Sequence, residues 1–157
     1  MQVAAAIGAL TMATACGADA DAESSGPVTW DAADPCSLAT FDTIESLVTP
    51  APKEGVPTDS AGRTSCLWGS PESLNTVTVT LAALPRSIKP LHTVTVGGMT
   101  GPVLAESKYH CILELQSDSG VLAVEAKFGL DAALNPDTSC ERVIPLAEHA
   151  VKELRWA

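Results

Sequence analysis

The chain has 157 residues, of which 46% are hydrophobic and only 4% aromatic. This length fits one domain with a single core of Val, Leu and Ala, and the apolar fraction excludes a chain that is disordered throughout. The formal net charge is −10, from 19 acidic and 9 basic residues. Nucleic acids and anionic lipid headgroups need a basic face on their partner, so we expect neither as a partner.

The first fifteen residues have the pattern of a cleaved export signal. Residues 3–12 are small and apolar, Ala13-Thr14-Ala15 follow, and Cys16 comes next. The stretch is shorter than the roughly 20 apolar residues of a transmembrane helix, and small residues before a cysteine suit lipoprotein signal peptidase. We predict a signal peptide over residues 1–15 and lipidation of Cys16, which anchors the protein to the outer face of the cell membrane.

This segment also departs from a typical lipoprotein signal. Ala13 stands where a branched aliphatic residue is usual, and no Lys or Arg precedes Cys16. Ala13-Thr14-Ala15 also fits general signal peptidase, and that alternative gives a secreted, unanchored protein. The cysteine count favours lipidation, because four of the five cysteines remain to pair once Cys16 carries lipid.

Residues 16–33 are predicted to be the lipidated cysteine and a flexible acidic tether. The segment after Cys16 is small, polar and acidic and contains no basic residue, so self-repulsion keeps it extended. Trp30 is its one bulky residue and is expected to dock on the domain, which we place at residues 34–157.

The domain is predicted to open with a helix. Asp34 can cap free amides and Pro35 suits the first turn, and apolar residues follow at helical spacing: Leu38, Phe41, Ile44, Leu47 and Val48. The helix is expected to end before Pro50. Prolines and glycines in residues 49–63 predict a surface loop.

Strand patterns dominate the middle of the chain. They cover residues 64–69, 76–81, 93–96, 109–116 and 121–128, and residues 99–106 are read as another strand or an edge segment with a bulge. Gly97 and Gly98 are interpreted as a turn or bulge between strands, since the Gly-Lys-Ser/Thr of a phosphate loop does not follow. A hairpin turn is predicted at residues 117–120, with one buried face formed by Cys111, Leu113, Leu115, Leu122, Val124, Ala126 and Phe128.

A terminal helix is predicted after Asn135-Pro136-Asp137-Thr138, with Cys140, Val143, Ala147, Val151 and Leu154 on its buried side. Because Pro145 lies inside this pattern, either the first turn is distorted or the regular helix begins near Pro145. The fold class is therefore α+β: an antiparallel sheet of about five strands with an N-terminal and a C-terminal helix on one face.

Two disulfides are expected among Cys36, Cys66, Cys111 and Cys140, because an exported chain meets an oxidising compartment. Three pairings are possible. We favour Cys36 with Cys66 and Cys111 with Cys140, since each bridge then ties a helix start to the sheet.

The chain resembles the actinobacterial lipoproteins grouped as domain of unknown function 3558. The resemblance spans residues 34–154 and rests on Asp34-Pro35-Cys36-Ser37-Leu38, Cys66 with Trp68, Val96-Gly97-Gly98, Cys111 and Cys140. It implies an extracytoplasmic location, two disulfides and this fold type. It implies no activity, because none is assigned to that family.

The sequence carries no catalytic serine or zinc motif, and because paired catalytic carboxylates meet only in space, sequence alone neither shows nor excludes them. There is no G-x-S-x-G motif, and His92, His110 and His149 are too far apart in sequence to form a zinc motif, so we expect surface or structural histidines and neither a metal nor a cofactor. The leading hypothesis is a non-enzymatic domain that binds an envelope protein or a small ligand. The alternatives are an envelope hydrolase whose site forms only in the fold, and an accessory subunit of an envelope complex.

Overall fold

The computed structural model describes residues 26–157 apart from residues 61, 136 and 138. Within them lie seven strands and two α-helices. The strands are β1 (Val56–Ser60), β2 (Arg63–Ser70), β3 (Asn75–Ala82), β4 (His92–Val96), β5 (Met99–Ser107), β6 (His110–Ser117) and β7 (Gly120–Phe128). The helices are α1 (Phe41–Glu45) and α2 (Ser139–Leu154), and 3₁₀ turns occur at Pro35–Leu38, Pro71–Ser73 and Gly129–Ala133.

The strands form a single sheet in the order β1-β2-β3-β7-β6-β5-β4, and every neighbouring pair is antiparallel. Helix α2 packs on β4 to β7, while α1 and the first 3₁₀ turn lie beside α2 on the same face. The predicted α+β class is thus confirmed. The sheet has seven strands rather than about five.

The additional edge strand, β1, lies inside the predicted loop of residues 49–63. All five of its residues are exposed, and they pair only with β2. Since β1 buries neither face, it has no apolar alternation for a sequence pattern to detect. Pro57 is tolerated because an edge strand has one unpaired side.

The predicted N-terminal helix is divided into two short elements. Asp34 caps the 3₁₀ turn at Pro35–Leu38, as its sequence position suggested, by accepting from the Cys36 N–H. Thr40 is extended and forms a reciprocal capping box with Thr43, which starts α1 afresh. Two competing caps therefore interrupt what apolar spacing alone predicted as one helix.

Helix α2 runs without interruption from Ser139 to Leu154, with Pro145 inside it. Neither sequence alternative describes this, because the regular helix begins six residues before the proline. Pro145 is exposed, so its ring lies on the solvent side of the helix, where the lost backbone hydrogen bond can be replaced by water. The opposite side is buried against the sheet, with Val143, Ala147, Val151 and Leu154 all but inaccessible.

The hairpin turn predicted at residues 117–120 is present, and Gly97-Gly98 forms a second hairpin turn. Gly97 and Gly98 join β4 to β5 with φ of 55° and 86°, the positive values that a tight hairpin turn requires at both central residues. Ser117 pairs with Gly120 across the β6–β7 turn. The β5–β6 register shifts between Val103 and Ala105, which is the bulge foreseen for this segment.

The sheet has a helix face and an open face. Cys111, Leu113, Val124 and Phe128 point to the helices and join the main core, so the intervening residues point to the open face. The chain must cross that sheet to pass from β3, near the middle, to β4 at the far edge. Residues 83–91, here called the crossover segment, make this passage over the open face.

Residues 26–33 belong structurally to the domain, although the sequence pattern assigned them to the tether. The Val28 N–H donates to the Leu154 carbonyl, and the Trp30 N–H donates to the Ser119 carbonyl. Trp30 also packs beside Gly120, so it docks as expected. The chain therefore enters the domain at the end of the sheet that carries the β6–β7 turn.

Candidate functional site

The predicted signal peptide, Cys16 and the first part of the tether, up to residue 25, lie outside the described residues. None of the described helices combines the length and the apolar character needed to cross a membrane.

The structure contains both disulfides of the favoured pairing. Cys36 joins Cys66, and Cys111 joins Cys140. Each bridge ties the start of a helical element to a strand and closes a segment of about 30 residues. Both are part of the core that supports the surface sites.

A cluster of charges lies beneath and beside the crossover segment. Arg86 forms ion pairs with Glu114, at 3.3 Å from Nε to Oε1, and with Glu125, at 3.4 Å from Nη1 to Oε2. The Arg86 backbone N–H also donates to Glu114 at 3.2 Å. Glu114 is 1% exposed, so these contacts satisfy a carboxylate that has almost no access to water.

Glu125 connects this cluster to the end of the sheet. Its Oε1 lies 3.3 Å from Nε2 of His110 and 3.5 Å from Nζ of Lys127. Burial alone would raise the pKa of Glu125, but the hydrogen bond with His110 and the charges of Lys127 and Arg86 lower it overall. Glu125 therefore holds both neighbouring side chains in place as a carboxylate.

His110 and Lys127 border a surface cavity of about 350 Å³ that we call the distal pocket. It is lined by Leu74, Tyr109, His110, Lys127 and Gly129, at the end of the sheet opposite residues 28–30. Three connections meet here: the β2–β3 turn, the β5–β6 turn and the 3₁₀ turn after β7. The Phe128 N–H donates to the Tyr109 carbonyl and joins two of them.

Gly129 permits this approach of backbone segments. Its φ is 49°, and a Cβ there would lie 2.7 Å from the Ser73 carbonyl oxygen. A larger residue would push the β2–β3 turn away from β7. The shape of the distal pocket thus depends on a glycine at this position.

Leu74 is the most unusual residue of the distal pocket. It is 63% exposed and has a φ of 53°, a left-handed conformation that costs an L-residue roughly 1–2 kcal/mol and suits Gly or Asn far better. Tyr109 beside it is 56% exposed. Because its backbone is strained and its apolar side chain faces solvent, Leu74 is a candidate binding residue.

Glu125 and His110 form a carboxylate–imidazole pair beside the distal pocket, with 3.3 Å between Oε1 and Nε2. Glu125 orients His110, as a carboxylate orients a general base. In the described part of the chain, no serine, threonine or cysteine forms a hydrogen bond with the His110 ring.

The other two histidines lie elsewhere. His92 contacts Glu106, with 2.6 Å between Nε2 and Oε2, and this hydrogen bond raises the pKa of His92. His149 is half-buried on α2. A search of residues 26–157, without the three positions left undescribed, gives no group of three or more His, Cys, Asp or Glu side chains arranged to hold a metal ion.

A second polar group lies at the same end of the sheet. Nδ2 of Asn75 donates to the Thr49 carbonyl and to Asp131 Oδ2, both at 2.9 Å. Arg142 stacks on the Phe128 ring, 4.0 Å from its centroid, and burial lowers the pKa of Arg142. This network fixes the loop after β7, at the same end of the sheet as the distal pocket.

Sequence reasoning identified His110 only as one of three scattered histidines and did not find Leu74, Tyr109 or Lys127. The available signal in the sequence was a leucine in the short link between the strand patterns of residues 64–69 and 76–81, where Gly or Asn is usual. Comparison with protein-family models, curated protein sequences and solved structures gave no match to the chain.

Proposed function

We propose that this protein is an extracytoplasmic lipoprotein that is anchored through Cys16 and acts as a non-enzymatic binding domain. The observation that carries the proposal is the position of the distal pocket. The chain enters at one end of the sheet, where residues 28 and 30 bond to Leu154 and Ser119, and the pocket lies at the other. A domain held at Cys16 would present this pocket away from the membrane.

Three further features support the proposal. The two disulfides suit an oxidising compartment, and the small residues before Cys16 suit lipoprotein signal peptidase. The pocket offers exposed apolar side chains beside fixed charges, which is the usual composition of a ligand site.

The anchor is tested by labelling cells with a palmitate analogue and analysing the protein by mass spectrometry. Diacylglycerol on Cys16 is expected, and Cys16→Ser should release the protein from the membrane fraction. An unmodified Cys16 at the mature N-terminus would refute the anchor and favour ordinary secretion.

The binding function is tested in cells with a photo-crosslinking amino acid at Tyr109. The same amino acid at Asp59, which is exposed on β1 toward the chain-entry end, serves as the control. A crosslinked envelope component at position 109 and not at position 59 supports the proposal. Equal labelling at both positions would contradict it.

A further inference from the structure

A second cavity, of about 480 Å³, lies on the helix face of the sheet beside β2, and we call it the Trp68 cavity. It is bordered by the first 3₁₀ turn, α1 and the loop before β1, and it shares no lining residue with the distal pocket. We propose that it binds an uncharged N-acetylated sugar whose acetamido carbonyl accepts a hydrogen bond from the Trp68 indole. This inference goes beyond the proposed function, because it does not depend on what the distal pocket binds.

The hydrogen-bond donor in this cavity is the indole N–H of Trp68. The side chain is 4% exposed, and in the part of the chain that the structure describes no group accepts a hydrogen bond from Nε1. Nε1 is nevertheless not one of the described unpartnered atoms that are sealed from solvent, so its N–H opens into the cavity that Trp68 lines. A buried indole N–H usually has a partner, and it acts only as a donor. The cavity therefore suits a ligand with an oxygen acceptor.

Gly55 and a disulfide shape the cavity before a ligand arrives. A Cβ at position 55 would lie 2.8 Å from Trp68 Nε1, so the glycine lets the loop before β1 pass the indole edge at close range. The Cys36–Cys66 bridge ties the first 3₁₀ turn to β2 next to Trp68. A site that is already ordered loses little entropy on binding.

The apolar walls suit the acetamido methyl group and the ring carbons of a sugar. Phe41 is 45% exposed, and it lines the cavity together with Ile44, Pro52 and Pro57. Covering these groups removes apolar surface from water. The volume lies within the range of roughly 300–1,000 Å³ for small-molecule sites, which suits a ligand of about one or two rings.

The charged side chains of the lining favour an uncharged ligand with hydroxyl groups. Lys53 stands beside Glu54, and Asp34 adds a second carboxylate, so neither a cation nor an anion meets charges of one sign. Lys53 and Glu54 form no ion pair or side-chain hydrogen bond with another described residue. Sugar hydroxyls can accept from an ammonium group and donate to a carboxylate. A peptide would supply an amide carbonyl without these hydroxyls, so the lining favours a sugar.

The test compares N,N′-diacetylchitobiose with cellobiose, which share their ring linkage and differ in the acetamido groups. Affinities of the full purified chain are measured by NMR titration. We expect the acetylated sugar to bind about fivefold or more tightly, because a hydrogen bond and a buried methyl group are gained. The indole N–H resonance of Trp68 should move downfield. That of Trp156, which donates to the Val28 carbonyl at 2.8 Å, should stay in place.

Matched variants distinguish the cavity from the rest of the surface. Trp68→Phe keeps an aromatic ring and removes the N–H, so it should weaken the acetylated sugar about three- to tenfold and leave cellobiose unchanged. Trp30→Phe, the same change at the chain-entry end, should alter neither affinity. Phe41→Ser removes an exposed ring and should weaken both sugars, which tests the cavity even if Trp68→Phe does not fold. Leu84→Ser, at an exposed leucine of the crossover segment, should weaken neither.

Equal affinity for the two disaccharides, or an unmoved Trp68 resonance, would overturn the acetamido assignment. Binding that survives both Trp68→Phe and Phe41→Ser would overturn the site. If neither sugar binds, the proposed ligand class is wrong, also where a peptide mimic such as N-acetylprolinamide shifts the Trp68 resonance. The proposed binding function is judged separately by crosslinking at position 109.

Discussion

Replacing Arg86 by Met should destabilise the protein by about 2 to 4 kcal/mol. The change leaves the Glu114 carboxylate, which is 1% exposed, without its ion-pair partner at 3.3 Å. Removing one partner of a buried pair costs about 3–5 kcal/mol. We discount that range because the Arg86 side chain is 19% exposed and because the backbone N–H at position 86 still donates to Glu114.

The assay is urea unfolding at pH 7, followed by tryptophan fluorescence. Adding Glu114→Gln to Arg86→Met should recover at least half of the lost stability, because no buried charge then remains unpaired. Lys89→Met is the control on the same crossover segment, where the side chain is exposed, and it should change stability by less than about 0.5 kcal/mol. A cost below about 1 kcal/mol for Arg86→Met, or no recovery in the double variant, would refute the reasoning.

Three other predictions concern single contacts. Replacing Cys111 and Cys140 together by Ser should cost about 3–4 kcal/mol of unfolding free energy, as expected for opening a loop of about 30 residues, and a loss below about 1 kcal/mol in urea would count against it. Glu106→Gln should return the raised pKa of His92 toward its ordinary value in an NMR titration. Because that pKa is raised in the folded state, the contact stabilises the protein fully below the ordinary pKa of 6.5, and the stabilisation is lost as the pH rises through the raised value; an unchanged pKa in the variant would exclude Glu106 as the cause. Leu74→Gly should leave stability unchanged or raise it by up to about 1 kcal/mol, since glycine relieves the left-handed strain at an entropic cost, and clear destabilisation in thermal melts would show that Leu74 serves the fold.

Local patterns in the sequence were sufficient for much of the sheet. The alternation of Leu113 and Leu115 with polar residues placed β6 correctly, and Gly97-Gly98 marked a turn whose φ values only glycine adopts easily. The favoured cysteine pairing also occurs in the structure. For the strand and the turn, neighbouring residues contain the relevant physical information.

Features that depend on distant residues could not be predicted in this way. Glu114 lies outside the buried face predicted for β6, yet it is 1% exposed and pairs with Arg86, 28 residues earlier. Thr80 is buried on the open face, where its hydroxyl lies 2.9 Å from that of Ser65. The distal pocket combines three turns that are far apart in the chain, so no sequence window contains it.

The sheet order has a consequence for how the protein assembles. Strands β1–β3 and β4–β7 are two local meanders, and only the β3–β7 ladder joins them within the sheet. Each disulfide lies within one half, Cys36–Cys66 in the first and Cys111–Cys140 in the second. Neither disulfide spans the junction, and because its ladder pairs residues far apart in the chain, we expect its formation to be the slow step of folding. With the crossover segment as the hinge, the same two halves also define the units that two copies would exchange in a domain-swapped dimer.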